Sequence, residues 1–167
     1  MSTSRLLAIS LLSAFGLLTG CSKSAESPRA SAAPSAPTAD LANGKAVFER
    51  VCAACHQPTG LGLPGTFPPL AGSEILTRGD GSTVVRIVLH GLQGPITVGG
   101  NTFNSVMPPQ GPMLKDNEIS DAISYARSSW GNRASAVSEA TVRTLRATVK
   151  RDGMWTWPEL DKETGGK

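Results

Sequence analysis

Five consecutive residues, Cys52-Ala53-Ala54-Cys55-His56, constrain this chain more than any other stretch. C-x-x-C-H is the pattern by which a c-type haem is attached. Two thiols must each add to a vinyl group on the same porphyrin, and two intervening residues give the sulfurs that reach. The next residue, His56, can then offer an imidazole nitrogen to the iron. Other uses of the pair fit less well. A thioredoxin-like C-x-x-C needs a strand–helix context, and the run before Cys52 has helical periodicity. Structural zinc takes four ligands, and only His56 and His90 could join the cysteines.

The chain has 167 residues, and aromatic residues make up only 5%. A small domain so poor in aromatics needs another source of apolar core, which a buried haem would supply. Sixteen basic and 13 acidic side chains leave a net charge of +3. That is too weak to argue for a nucleic-acid partner. Loss of Arg5 with a leader and two haem propionates would bring the charge near neutral.

Arg5 precedes an apolar run from Leu6 to Leu18, broken only by Ser10, Ser13 and Gly16. A single charge, a short apolar core and small residues describe a secretory signal over residues 1–20. The run is short for a membrane span. It ends in Leu18-Thr19-Gly20-Cys21, which resembles the bacterial lipobox. That resemblance implies lipidation of Cys21, whose acyl chains would anchor the protein. An ordinary cleaved signal with an incidental cysteine is the alternative. Ser22, rather than Asp, follows the cysteine. By resemblance to Gram-negative lipoproteins this implies the outer membrane. Residues 21–39 are mostly Ser, Ala and Pro and bury too little to order themselves. They are expected to act as a tether.

A first helix is expected from an N-cap at Asp40 to about Ala54, with Leu41, Gly44, Phe48, Val51 and Cys55 on one face. Gln57 to Gly72 is irregular and rich in Gly and Pro. An axial histidine usually donates its second ring N–H, often to a backbone carbonyl. The Pro68 carbonyl is the candidate, while Pro69 stiffens the loop. Ser82 to Gly91 is expected to be a helix capped by Ser82, with His90 at its end as a surface or loop histidine rather than an iron ligand. Gly99 to Met113 is expected to be a loop with two possible sulfur ligands. Met107 precedes Pro108, which pushes it toward extended backbone. It is the preferred distal ligand, with Met113 assigned to apolar packing. Lys115 to Trp130 is the clearest helix, its stripe being Ile119, Ala122, Ile123, Ala126 and Trp130. Asp116 is expected to cap it, and Tyr125 to meet the Gly44/Phe48 face. Ser138 to Lys150 forms another helix. Beyond it, Trp155 and Trp157 either pack on the domain or dock a partner.

Together these residues resemble a class I cytochrome c over about residues 40–136: Gly44 and Phe48 before C-A-A-C-H, Pro68-x-Leu70, Met107-Pro108, and a last helix with Tyr125. A closer resemblance lies in V-L-H-G-L-x-G (Val88 to Gly94), N-x-x-M-P (Asn104 to Pro108) and Y-x-R-x-S-W-G-N (Tyr125 to Asn132). It is to haem domains that serve periplasmic dehydrogenases and terminal oxidases or reductases. The resemblance implies an all-α cytochrome c fold, with three main helices and loops around one covalent haem c, and residues 137–167 as a helical, Trp-containing extension. It implies attachment at Cys52 and Cys55, axial His56 and Met107, and first and last helices crossing at Gly44.

The expected function is electron transfer by a periplasmic, membrane-tethered protein with redox-protein partners and no nucleic acid. No acid–base pair or nucleophile suggests substrate chemistry. A haem subunit stably bound to a dehydrogenase or reductase, and a five-coordinate haem sensor, are the alternatives.

Overall fold

The structure, a computed structural model, describes residues 39–165. The signal sequence, Cys21 and the tether through residue 38 lie outside these residues.

A helical run opens the domain as α1 (Leu41–Val47). It continues as a π-helical turn, Phe48–Cys52, and ends as α2 (Ala53–His56). Asp40 caps it, its carboxylate accepting from the Ala42 and Asn43 N–H groups at 3.0 Å each. The expected end at Ala54 falls two residues short. In the π turn the Ala53 N–H donates to the Phe48 carbonyl, five residues back. One extra residue rotates the following side chains by about 100°, so a single stripe cannot run through the helix. Gly44, Val47 and Phe48 are buried, whereas Leu41 is 47% exposed. Val51, Cys52, Cys55 and His56 then turn toward a common cleft.

The α1 run packs against α5 (Asp116–Ser128), and Gly44 is where they touch. A Cβ there would lie 2.2 Å from the Asp121 carbonyl oxygen and 3.0 Å from the Tyr125 Cβ. Asp121 ties the crossing down. Its carboxylate accepts from the Asp40 N–H at 3.0 Å and from Asn43 Nδ2 at 2.8 Å. Phe48, Tyr125 and Trp130 form an aromatic triangle beside it, with centroids 5.0 to 5.7 Å apart.

α3 (Glu74–Thr77) and α4 (Ser82–His90) follow the Gly/Pro loop. The cap of α4 is not the Ser82 side chain. The Asp80 carboxylate accepts from the Ser82 N–H at 2.9 Å, and Gly81, with φ +86°, makes the entry turn. Nor does Asp116 cap α5. The Lys115 N–H is satisfied by the Glu118 carboxylate, while Asp116 binds Arg146.

The stretch expected to be loop from Gly99 holds a strand. β2 (Ile96–Val98) and β3 (Asn101–Phe103) form an antiparallel hairpin with Ile96 opposite Phe103. Gly99 and Gly100, at φ +56° and +78°, supply its two-residue turn. Even so, the architecture is helical, as expected.

The tail packs on the domain. α6 (Glu139–Thr148) begins at a Ser138 cap and buries Val142. β4 (Trp155–Thr156) runs parallel to β1 (Leu92–Gln93), and α7 (Trp157–Glu163) follows. Trp155 is 4% exposed and Leu160 fully buried, in a cluster with Ile87, Leu92, Ile96 and Phe103. The docking alternative for Trp155 is thereby set aside. Trp157 packs against the edge of this cluster.

Candidate functional site

The helical run ends at Cys52, Cys55 and His56, which all border one cleft open to solvent. The π turn brings the two cysteines and the histidine to it together. Burial, with Cys55 beside it, pushes the Cys52 thiol up to about 11, so it stays protonated near neutral pH. His56, like Cys52, is half-buried. Burial lowers its pKa, against the opposing effect of its bond to Pro68, and the ring is held neutral.

That bond fixes the tautomer. His56 Nδ1 lies 3.0 Å from the Pro68 carbonyl. A carbonyl oxygen only accepts, so Nδ1 carries the proton and Nε2 keeps a free lone pair. The loop that presents Pro68 folds back on itself. The Gly62 N–H donates to the His56 carbonyl at 2.9 Å, and Leu63 pairs with Phe67 across an antiparallel bridge. Gly62, at φ +64°, lies so close that a Cβ would meet the Phe67 and Pro68 carbonyl oxygens at 2.3 and 2.6 Å.

Met107 reaches the cleft from another part of the chain. Its N–H and carbonyl both bond Leu92, at 2.9 and 3.0 Å. The extended backbone imposed by Pro108 thus becomes one rung against β1. Among the described residues, Met107 supplies the cleft's thioether sulfur. Met113 does not pack as expected: it is 69% exposed, beyond the turn at Gly111-Pro112. His90 borders no part of the cleft.

The remaining lining is apolar. Among the described residues it contains no Asp, Glu, Lys or Arg, and its polar side chains besides the sulfur and imidazole groups are Ser73, Ser105 and Gln110. Two adjacent thiols, a neutral imidazole and a thioether around a largely apolar, uncharged cleft are a donor set that suits a covalently held iron porphyrin. No group of three or more His, Cys, Asp or Glu among the described residues could hold a metal ion.

The sequence profile of the Cytochrome c family matches residues 41–130, more than half of the chain. The chain belongs to the cytochrome c family. A cytochrome c-552 from Thermus thermophilus is 42% identical over 94 residues, 54% of this chain and 70% of that protein. The cytochrome c subunit of a quinone alcohol dehydrogenase from Gluconacetobacter polyoxogenes is 33% identical over 107 residues. The fructose dehydrogenase cytochrome subunit of Gluconobacter japonicus is 30% identical over 115 residues. The chain spans only 22% and 23% of these two subunits. As a cytochrome c, this protein carries covalent haem c and transfers electrons to and from redox partners. It is an electron carrier, not itself a catalyst of substrate chemistry.

The family signature at the end of α5 acquires physical content here. Arg127, fully buried, donates to the carbonyls of Leu76, Arg78, Gly79 and Ser135 at 2.6 to 3.2 Å. Trp130 covers Gly60, where a Cβ would come within 2.5 Å of its ring, and its Nε1 donates to the Pro58 carbonyl at 3.2 Å. Asn132 accepts from the Gly72 N–H and donates to the Leu70 and Ala126 carbonyls. Trp130 and Asn132 hold the loop that offers the Pro68 carbonyl to His56, while Arg127 ties the end of α3 and the turn after it to Ser135. Arg127 was missed in the sequence because an arginine in a helix ordinarily faces water.

Proposed function

We propose that Cys52 and Cys55 hold the haem by thioether bonds, that His56 and Met107 are its axial ligands, and that Pro68 orients His56 through its carbonyl. The observation that carries this reading is that all four donor side chains border one uncharged cleft. The haem supplies one-electron cycling of its iron. The chain's residues keep the imidazole neutral, offer a thioether that favours the ferrous state and raises the potential, and exclude charge from the pocket.

The protein is further proposed to work in the periplasm, tethered by a lipid on Cys21 to the outer membrane of a Gram-negative cell. Among the described residues no helix is long and apolar enough to cross a membrane, so attachment would rest on the N-terminal segment. Its partner would be a periplasmic dehydrogenase, reductase or oxidase. Similarity to named dehydrogenase subunits supports a second reading, stable attachment to such an enzyme. Co-purification at fixed stoichiometry would select that reading over a free shuttle.

The test uses haem-loaded full-length protein. Met107→Ala should abolish the sulfur–iron charge-transfer band, lower the reduction potential and admit carbon monoxide to the ferrous iron, while Met113→Ala changes none of these. Retention of the band in Met107→Ala, or ready carbon monoxide binding by the unaltered protein, would reject the ligand set. In the same host, Cys21→Ser should move the protein from the membrane to the soluble fraction. An unchanged distribution would reject the lipid tether.

A further inference from the structure

The wall of the cleft carries no charge, yet a cation is buried directly behind it. Arg127 is fully buried on α5. It follows Ala126, and its Nη1 donates to the Leu76 carbonyl at 2.6 Å. Ala126 and Leu76 both border the cleft, whereas Arg127 does not. The guanidinium thus lies one residue behind a wall built from α3 and α5. It is closed in as well. A Cβ on Gly81 would lie 3.3 Å from Arg127 Cζ and 2.5 Å from Val137 Cγ2.

No carboxylate neutralises this cation at contact distance. Its other hydrogen bonds go to the carbonyls of Arg78, Gly79 and Ser135, with a long contact to the Ser135 hydroxyl at 3.5 Å. Among the described residues it makes no ion pair. The carboxylate that acts on it, Asp80, is exposed and capping α4. Burial lowers the Arg127 pKa and Asp80 opposes this, but a guanidinium keeps its proton in proteins. Burying a cation without a counter-charge is costly. The carbonyl dipoles solvate the charge without removing it. We propose that Arg127 sets the reduction potential: its buried charge disfavours the ferric iron, which carries one more positive charge than the ferrous, and so raises the potential. Asp121, the other buried charged side chain among the described residues, lies at the α1 crossing and acts with the opposite sign. The inference rests on the haem lying in this cleft and not on which methionine ligates it.

Burial decides how far this field is felt. Exposed charges separated by more than a Debye length, about 10 Å at 0.1 M salt, are largely screened, and buried charges much less. At an effective dielectric of about 20, two unit charges about 10 Å apart shift an equilibrium by roughly tenfold. For a one-electron couple, tenfold corresponds to about 59 mV. Asp80, being exposed, should offset Arg127 only weakly. The hydrogen bonds of Arg127 act differently from its charge. They hold the turn after α3 equally in ferric and ferrous protein, whereas the charge distinguishes the two states.

The test is redox titration of the full-length holoprotein at low and high salt, with Arg127→Gln, Arg127→Lys and Asp80→Asn. Both Arg127 variants lose the fork, but only Gln loses the charge. Arg127→Gln should shift the ferric-to-ferrous ratio at a fixed applied potential about three- to tenfold toward ferric, and should do so at both salt concentrations. Arg127→Lys should stay within about twofold of the unaltered protein. Asp80→Asn, which keeps the cap, should shift the ratio weakly toward ferrous at low salt and lose that shift at high salt. Chemical denaturation of each oxidation state supplies a second readout. Arg127→Gln should destabilise the ferrous protein more than the ferric, and Arg127→Lys should destabilise both alike. Equal potentials in the Gln and Lys variants, or equal losses of stability in the two states of Arg127→Gln, would overturn the proposal. If neither Arg127 variant takes up haem, Asp80→Asn decides alone, and an unshifted ratio at low salt overturns it. The sulfur–iron band should persist in every variant that binds haem, which separates this result from the test of Met107.

Discussion

At the residue scale, the site depends on polar groups that a search for haem ligands passes over. The Pro68 carbonyl decides the His56 tautomer. Arg127 serves four carbonyls from two loops with a fork that no lysine could reproduce. Asp80 stands beside this arginine and caps α4. Its bonds to the Ser82 N–H and hydroxyl, aided by Arg127, hold its pKa below the ordinary carboxylate value. A carboxylate whose folded pKa is lowered adds stability above its unfolded pKa and loses it as pH falls through the folded one. Asp80 is exposed, so the contribution is small. Asn also caps a helix, which makes Asp80→Asn the informative change. It should keep stability near neutral pH but flatten the loss of stability below about pH 4. Chemical denaturation across the acid range would show this, and an unaltered slope would count against the assignment.

At the element scale, one residue of helical register decides where the attachment motif points. The π turn at Phe48–Cys52 separates a face that packs on α5 from a face that opens on the cleft. The 3.6-residue period assumed in sequence reading therefore failed at Leu41, and the burial of Val47 was not foreseen. The hairpin was legible in principle: Ile96-Thr97-Val98 and Asn101-Thr102-Phe103 flank a Gly-Gly pair, a two-residue turn signal. At three residues each, the strands are too short for alternation alone to mark them. α6 has a function its apolar spacing does not reveal. Arg146 donates to the Gly111 carbonyl at 2.6 Å, the Leu114 carbonyl at 2.9 Å and the Asp116 carboxylate at 2.7 Å. It thereby clamps the segment between Met107 and α5. Charged hydrogen bonds of this kind are worth about 1.5–3 kcal/mol each. In Arg146→Ala holoprotein the sulfur–iron band should disappear at a lower temperature than the unfolding of the helices. Coincident transitions, unchanged from the unaltered protein, would argue that the clamp does not hold Met107.

At the scale of the whole molecule, the tail backs the Met107 side of the cleft. Trp155 pairs with Leu92, and Leu92 in turn pairs with Met107. A chain ending after Ala136 would lose β4, α6 and α7, uncover Leu92 and remove the Arg146 clamp. Burying one large apolar side chain contributes about 1.5–3 kcal/mol. Loss of Trp155 and Leu160 alone should lower the melting temperature by more than about 10 °C, with methionine ligation failing first. Thermal scans followed at the haem band and by far-UV circular dichroism would check both parts. A truncated holoprotein with an unchanged midpoint would show that the extension is dispensable.

The sequence by itself determined the attachment motif, the helices with uninterrupted apolar spacing, Gly44 as a point of close approach, and Met107 rather than Met113 as the methionine at the cleft. These are local properties: covalent spacing, periodicity, and backbone limits imposed by glycine and proline. Tertiary structure alone decided that Met113 faces water, that Trp155 faces inward, that Arg127 is buried and that the cleft has no charged wall. Each of those depends on which distant segment covers a side chain, and burial by a partner many residues away leaves no mark in the spacing of neighbours.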